Sequence, residues 1–335
     1  MIIAIHHREF SFSERWIEFC ENNNIEYKLV NAFDSDIIHK LKGCYAFIWH
    51  YHHAEFKDVI VAKKLLFSLE HSGVKVFPNF NTNWHFDDKV AQKYLLESVN
   101  APLVPSFVFY DKENALKWAE STEFPKVFKL KGGAGSSNVK LVKDFSHCKK
   151  LINKSFGNGF KQFDSLTNLK DEFKRYKENK ISFKNLLGNF YKLLASTQFS
   201  KNMPKEKGYS YFQEFIPNND SDIRVIIIGN KAFALKRLVR KGDFRASGSG
   251  EILYDKNEID ERCLKIAFET NKSIKAQSIA YDFVFDKNNE PLIIEISYGF
   301  SVTPYNECQG YWDSELNWYE EKFNPQVWML KDIIK

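Results

Sequence analysis

The sequence predicts two architectures in one chain: a small open parallel α/β domain at the N-terminus, then an α+β region ending in an antiparallel sheet. Three observations carry this. Over residues 1–80 short apolar runs alternate with helical patterns, the order that builds a parallel sheet. Beyond residue 209 strand-like runs follow one another through tight turns, the order of antiparallel pairing. Between the two, a glycine-rich turn joins two strand patterns within residues 124–142.

Composition sets the outer limits. The 335 residues are 44% hydrophobic and 27% charged, enough apolar material for two or three cored lobes. No apolar run approaches the roughly 18 residues that a membrane span needs, and the opening MIIAIHHREF lacks a signal-peptide pattern. The five cysteines, Cys20, Cys44, Cys148, Cys263 and Cys308, form no close pair, which fits a reducing compartment and a cytoplasmic location. Net charge is +5, but residues 149–207 hold 14 Lys or Arg against 5 Asp or Glu, a surplus of nine that leaves −4 for the rest.

In chain order, residues 2–6 and 44–49 read as buried strands, with strands at 26–30 and 75–78 beside them. A helix from Ser13 sets Trp16, Phe19 and Cys20 on one face, and another covers 55–71. The cluster Trp49-His50-Tyr51-His52-His53 follows the third strand, where open α/β sheets collect ligands; a cleft-lining polar loop fits better than a metal site, since no carboxylate or cysteine recurs at ligand spacing. A helix over 87–99 ends before Pro102 and Pro105; a strand at 106–110 and a helix at 112–121 follow. The stretch 144–205 reads as mostly helical and lysine-rich, and strand-like runs occupy 209–216, 222–229, 231–239, 280–286 and 291–297.

Three constellations carry chemistry. The run FPKVFKLKGGAGSSNVKLV puts Lys129 just before a turn containing Gly132, Gly133, Gly135, Ser136 and Ser137. Glycines let successive backbone N–H groups close around phosphate oxygens. No Gly-Lys-Ser/Thr closes the turn as in a Walker A loop, and no helix follows it as in a Rossmann fingerprint; a flexible hairpin with a surface lysine is the alternative. Near the C-terminus, a hairpin with loop 287–290 that pairs Asp286 with Pro291 also sets Asp282 opposite Glu295. Like charges so placed repel unless a cation joins them, and oxygen ligands favour Mg²⁺ or Mn²⁺ over zinc. Alternation then puts Glu295 and Ser297 on one face and Ile294 and Ile296 on the other; a slipped register with exposed acids is the alternative. Between these lie Gln213, Glu214, Phe215 and Ile216 at an acidic hinge. Asp222 and Arg224 share one strand face, and a turn at Gly229 leads to Lys236 and Arg237.

Taken together and in order, these elements resemble the ATP-grasp superfamily, most closely its RimK-type carboxylate–amine ligases. The resemblance runs from about Asp87 to Ser297 and rests on Gln213-Glu214-Phe215-Ile216, Asp222-Ile-Arg224-Val with Gly229, Gly242-Asp243-Phe244-Arg245, and Asp282 with Glu295-Ile-Ser297. It implies a pre-ATP-grasp α/β domain at 1–85 and a two-lobed ATP-grasp fold: a first lobe at 86–208 carrying the basic insertion 144–205, and a second lobe at 209–335. It implies ATP held by Lys129 and Lys89 under the glycine turn, adenine on the Glu214–Phe215 backbone, ribose facing Asp222, and Arg245, Ala246 and Ser247 lining the nucleotide. Arg237 would point at the γ-phosphate, and Asp282, Glu295 and Ser297 would hold Mg²⁺, with Mn²⁺ an alternative. Ser297 and Ser247 stand where such ligases usually have Asn, which keeps an oxygen and loses an amide.

The implied reaction activates a carboxylate as an acyl phosphate and joins it to an amine, so both partners are small molecules, the acidic one met by the basic insertion acting as a lid. A homo-oligomer is compatible with this. The aromatics Tyr305, Tyr311, Trp312 and Trp318 follow the metal strand and are expected to border an acceptor pocket suited to a sugar carboxylate of surface-polysaccharide assembly. Alternatives are an ATP-grasp kinase, a nucleotide-binding module without turnover, and a nucleic-acid binder using the basic segment. The acidic remainder of the chain opposes the last.

Overall fold

The computed structural model describes residues 1–133, 138–162, 203–239 and 251–335. Of the residues singled out above, Gly135, Ser136, Ser137, Gly242, Asp243, Phe244, Arg245, Ala246 and Ser247 lie outside these segments, as does most of the basic insertion with its lid role.

Strands β1 (Ile3–His6), β2 (Tyr27–Leu29), β3 (Ala46–Trp49) and β4 (Lys75–Phe77) form a four-stranded sheet in the order β2-β1-β3-β4, parallel throughout. Helices hold both faces. The helix Phe12–Asn22, capped by the Ser11 hydroxyl, buries Phe12, Trp16 and Cys20 at intervals of four. The helix Phe56–His71 buries Ala62, Leu65, Leu66 and Leu69. The C-terminal helix Pro325–Ile334 returns to this core with Met329, Leu330 and Ile333, and the Trp16 indole donates to the Gln326 carbonyl at 3.0 Å.

A second sheet joins β5 (Ser106–Phe109), β6 (Lys126–Lys129), β7 (Lys140–Val142) and β8 (Ser210–Glu214), antiparallel in the order β5-β8-β6-β7. Two-residue alternation sends Phe128 and Phe212 into a core with the helices Lys112–Ser121 and Phe145–Phe156. Lys129 and Gln213 are thereby left on the opposite face. The run 209–216 was expected to open the C-terminal sheet; it instead completes this one, because its partners β5 and β6 offer the open edges.

The third sheet contains β9 (Ser221–Ile228), β10 (Lys231–Leu238), β11 (Ile252–Leu253), β12 (Ser278–Phe285), β13 (Pro291–Ser297), β14 (Tyr311–Asp313) and β15 (Trp318–Tyr319). Its order is β13-β12-β9-β10-β14-β15, with β11 on β10. The β9–β10 turn needs Gly229: its φ is +57°, and a Cβ there would sit 2.5 Å from the Asp332 carboxylate. One face packs on the helix Glu261–Ile274, which the expectations above did not include although Asp260 caps it and Cys263, Leu264, Ala267 and Ile274 form its apolar stripe. Leu96 of the helix Lys89–Ser98 joins the same core.

Two expectations about the C-terminal half need correction. The hairpin pairs Phe285, not Asp286, with Pro291, and a β-bulge between Asp282 and Phe283 restores the Asp282–Glu295 pairing. The extra residue is Ile294, so Ile293 and Ile296 enter the core while Ile294 turns to the cleft described below. The aromatic stretch does not border that cleft. Tyr305, Tyr311 and Trp312 are buried, Tyr311 packs on Trp328 at 4.9 Å between ring centroids, and Trp312 on Trp318 at 4.5 Å. Filling the core there gains more than an exposed aromatic platform would. Among the described residues no helix is long and apolar enough to cross a membrane, and all five cysteines are free.

Candidate active site

The three sheets enclose a cleft of about 1150 Å³. The β5–β8 sheet supplies one wall, the β9–β13 face the other, and loops following β1 and β3 close one end.

On the first wall Lys129 is 5% exposed and donates from Nζ to the Gln213 amide oxygen at 2.6 Å. Gln213 in turn donates to the Ser106 hydroxyl at 3.1 Å, which fixes the amide's orientation. With a neutral partner, burial lowers the Lys129 pKa to about 8, opposed in part by Glu295. Lys126, which the sequence reading did not single out, is gripped by both oxygens of Glu214 at 2.6 and 2.8 Å, its cross-strand neighbour at the hinge. The Pro-Lys-Val-Phe-Lys spacing held the signal: both lysines lie within one four-residue strand. Phe215 and Ile216 continue the lining.

The glycine-rich turn is pinned at its base. Asp87, with φ +55°, accepts from the Gly133 amide at 2.9 Å, and Lys89 donates to the Gly133 carbonyl at 2.9 Å. A Cβ on Gly132 would lie 3.1 Å from the Gln162 amide nitrogen and 3.2 Å from Asp87, so this approach is tight. Glu206 fastens the stem of the basic segment beside it, accepting from Gln162 at 2.6 Å and from the Tyr209 hydroxyl at 2.7 Å.

On the second wall, a row of charges crosses four strands. Arg237 on β10 makes a two-pronged pair with Asp222 on β9 at 2.6 and 2.5 Å. Arg224, two residues along β9, does the same to Asp282 on β12 at 2.5 and 2.6 Å, and Arg237 also reaches Asp282 at 2.9 Å. Asp282 faces Glu295 on β13, and Lys89 closes the row at 3.2 Å from Glu295. Burial works against the Asp282 charge, yet the two guanidiniums outweigh it and hold its pKa well below the usual carboxylate range. Burial raises Asp222 despite Arg237. Burial likewise opposes the charge of Lys89, but Glu295 and Asp87 more than compensate and raise its pKa. Alternation alone puts Arg224 on the face of Asp222; its partner on β12 follows from the strand order. Lys236 points elsewhere, to Glu258 at 2.8 Å.

The remaining oxygens suit a hard cation. Glu295 uses one oxygen on Lys89, both Asp282 oxygens retain acceptor capacity, and the Ser297 hydroxyl donates to the Gly299 carbonyl at 3.0 Å while keeping its lone pairs. Among the described residues no three His, Cys, Asp or Glu side chains converge as a self-sufficient metal site. A Mg²⁺ here would therefore take its other ligands from phosphate and water, as that ion commonly does.

Residues 195–308 match the RimK-like ATP-grasp domain family. Over that stretch the chain resembles the RimK-type ATP-grasp proteins. The α-aminoadipate–LysW ligase LysX of Saccharolobus solfataricus is 22% identical over 231 residues, which is 69% of this chain and 68% of that protein. The RimK-domain ATP-grasp protein of Sphaerobacter thermophilus superposes with a TM-score of 0.53 at 14% identity, covering 89% of this chain and 91% of that one. The biotin carboxylase domain of Hydrogenobacter thermophilus 2-oxoglutarate carboxylase, solved with MgADP and bicarbonate, reaches a TM-score of 0.60 at 12% identity, covering 99% and 69%. The ATP-grasp fold accounts for the mixed architecture of one parallel and two antiparallel sheets.

Proposed function

We propose that this ATP-grasp protein is an ATP- and Mg²⁺-dependent carboxylate–amine ligase that works through an acyl phosphate. The observation that carries the reading is the opposition of two walls across one cleft: buried Lys129 beside a glycine turn on one side, Asp282 and Glu295 on the other, with buried Lys89 reaching both Gly133 and Glu295 between them. Lys129 and Lys89 would hold the nucleotide's phosphates with the backbone of Gly132, Gly133 and the glycine turn. Glu214, Phe215 and Ile216 would present hinge backbone to adenine, and Val127, Val284 and Ile294 supply apolar surface.

Magnesium held by Asp282, Glu295 and Ser297 would offset charge on the phosphate oxygens, and manganese suits the same donors. The chain's own residues position the carboxylate for attack on the γ-phosphate, shield it from water and neutralise developing charge. Arg237, engaged by Asp222 and Asp282, supports this as a fixed positive wall rather than a mobile finger. The amine then displaces phosphate and forms the amide. The sugar carboxylate expected above loses its support, since Tyr305, Tyr311 and Trp312 are buried in the core and Trp318 packs on Trp312 rather than lining the cleft.

ADP release by the purified protein, screened against carboxylates paired with amines, tests the proposal. The expected result is ADP and free phosphate only when both are present. Phosphate retained on a hydroxyl product would replace the ligase with a kinase.

A further inference from the structure

The glycine turn is also held from behind, by residues that do not line the cleft. At Lys131 both backbone polar groups are engaged. Its amide donates to the Tyr209 hydroxyl at 2.7 Å, and its carbonyl accepts from the Lys89 amide at 2.9 Å. Tyr209 immediately precedes β8, and its hydroxyl donates in turn to the Glu206 carboxylate at 2.7 Å. A phenol that accepts from one group while giving its only proton to another has a fixed orientation. Burial and the Glu206 charge both raise the Tyr209 pKa, so the phenol keeps its proton and the polarity of the relay holds at neutral pH.

Glu206 is itself rooted in the core of the first lobe. It is buried and exchanges backbone hydrogen bonds with Phe160 at 2.9 and 2.8 Å, and Phe160 packs on Phe128 at 5.1 Å between ring centroids. Gly159, with φ +68°, permits this approach, since a Cβ there would lie 2.7 Å from the Glu206 carbonyl. The second Glu206 oxygen takes the Gln162 amide at 2.6 Å. The Gln162 carbonyl accepts from the side chain of Asn138, where the chain leaves the turn in left-handed backbone, φ +63°. One buried carboxylate thus fastens both sides of the turn, its start through Tyr209 and its end through Gln162. Glycine-rich chain has many conformations to lose, so amides that must converge on phosphate need fixed ends.

We propose that Tyr209, oriented by Glu206, is a positioning residue for phosphate binding: its hydroxyl sets where the glycine turn starts, and thereby how the turn meets a nucleoside diphosphate or triphosphate. Neither Tyr209 nor Glu206 lines the cleft, so each acts through the turn and not by touching the nucleotide. The inference rests on the nucleotide site of the proposed function and adds to it a support drawn from the stem of the basic segment. A brace that merely held the first lobe together would lower stability and weaken every ligand alike. A positioning residue weakens the phosphate contacts selectively.

Calorimetry on the full chain, with MgADP and adenosine as probes, decides it, because adenosine shares the base and ribose but carries no phosphate. Tyr209→Phe keeps the ring and removes only the hydroxyl. It should lower MgADP affinity by about five- to tenfold, a hydrogen bond's worth, and leave adenosine within about twofold. Hydrogen exchange at the Lys131 amide of the ligand-free variant should quicken by about tenfold, since that amide loses its acceptor. Glu206→Gln retains volume and an acceptor oxygen, so its MgADP loss should be smaller, about two- to fivefold. Should Tyr209→Phe not fold, the same selective loss is read from Glu206→Gln. An unchanged MgADP affinity in a variant whose wild type binds MgADP, or equal losses for MgADP and adenosine, overturns the inference alone. A wild type that binds no MgADP would sink the proposed function and this inference together.

Discussion

The two walls of the cleft are both sheets with one apolar and one polar face, yet they treat charge in opposite ways. On the β5–β8 wall, Lys129 meets a neutral amide at 2.6 Å and its pKa falls to about 8. On the β9–β13 wall, Arg224 and Arg237 each meet a carboxylate with two prongs. A buried cation beside a neutral partner still seeks an anion, whereas a fully paired one is a fixed support. On the proposed function the first wall would receive phosphate, while the second holds its carboxylates in a set orientation.

The strongest way to break this contrast is Asp282→Asn. Both guanidiniums would lose charge compensation in a buried place, at a cost of about 3–5 kcal/mol. Urea unfolding should show that loss, and calorimetry should show MgADP binding gone. Unchanged stability would mean that the row is not a structural support.

Lys129→Ala should cost about a hundredfold in nucleotide affinity while the fold persists, read by calorimetry beside circular dichroism. A pH series sharpens the point. The folded pKa of Lys129, about 8, lies below the ordinary lysine value of 10.5. Its destabilising effect is therefore fully present below pH 8 and fades as pH rises towards 10.5, so wild-type stability gains over that window and Lys129→Ala does not. Nucleotide affinity of the wild type should fall between pH 7 and pH 9 as the ammonium is lost.

A smaller effect is expected for Ser297→Asn, which restores a longer-reaching amide oxygen beside Glu295. The Mg²⁺ concentration needed for half-maximal nucleotide binding should drop by a few-fold, on the order of 1 kcal/mol or less. An increase would argue that Ser297 does not face the ion.

Asp87→Asn should change least. Asn keeps an acceptor for the Gly133 amide and tolerates the left-handed backbone. Burial raises the Asp87 pKa to about 6, so wild-type stability declines as pH rises from about 4 to 6. In the variant that slope should flatten, with nucleotide affinity within about threefold. A steep loss of affinity would show that the Asp87 charge itself acts in the site.

Much of the architecture was legible because it depends on local periodicity. The parallel N-terminal sheet, the helix 112–121 and the Asp282–Glu295 opposition could all be read from alternation and turn placement. The helix Glu261–Ile274 was legible too, from its Asp260 cap and apolar stripe, but was not read. The register near the hairpin tip was not legible, because a bulge and a one-residue offset at the turn cancel each other by the time the chain reaches Asp282.

Order along the chain thus determined which residues could share a face: Lys129 away from Phe128, Asp222 with Arg224, Glu295 with Ser297. Only the tertiary structure decided who meets whom across strands. It set Arg224 against Asp282, Lys126 against Glu214 and Tyr209 against Lys131. The physical reason is that alternation is a property of one strand, written in consecutive residues, while strand order and loop docking minimise the free energy of the whole chain. Pairs separated by 58 or 88 positions are settled at that level.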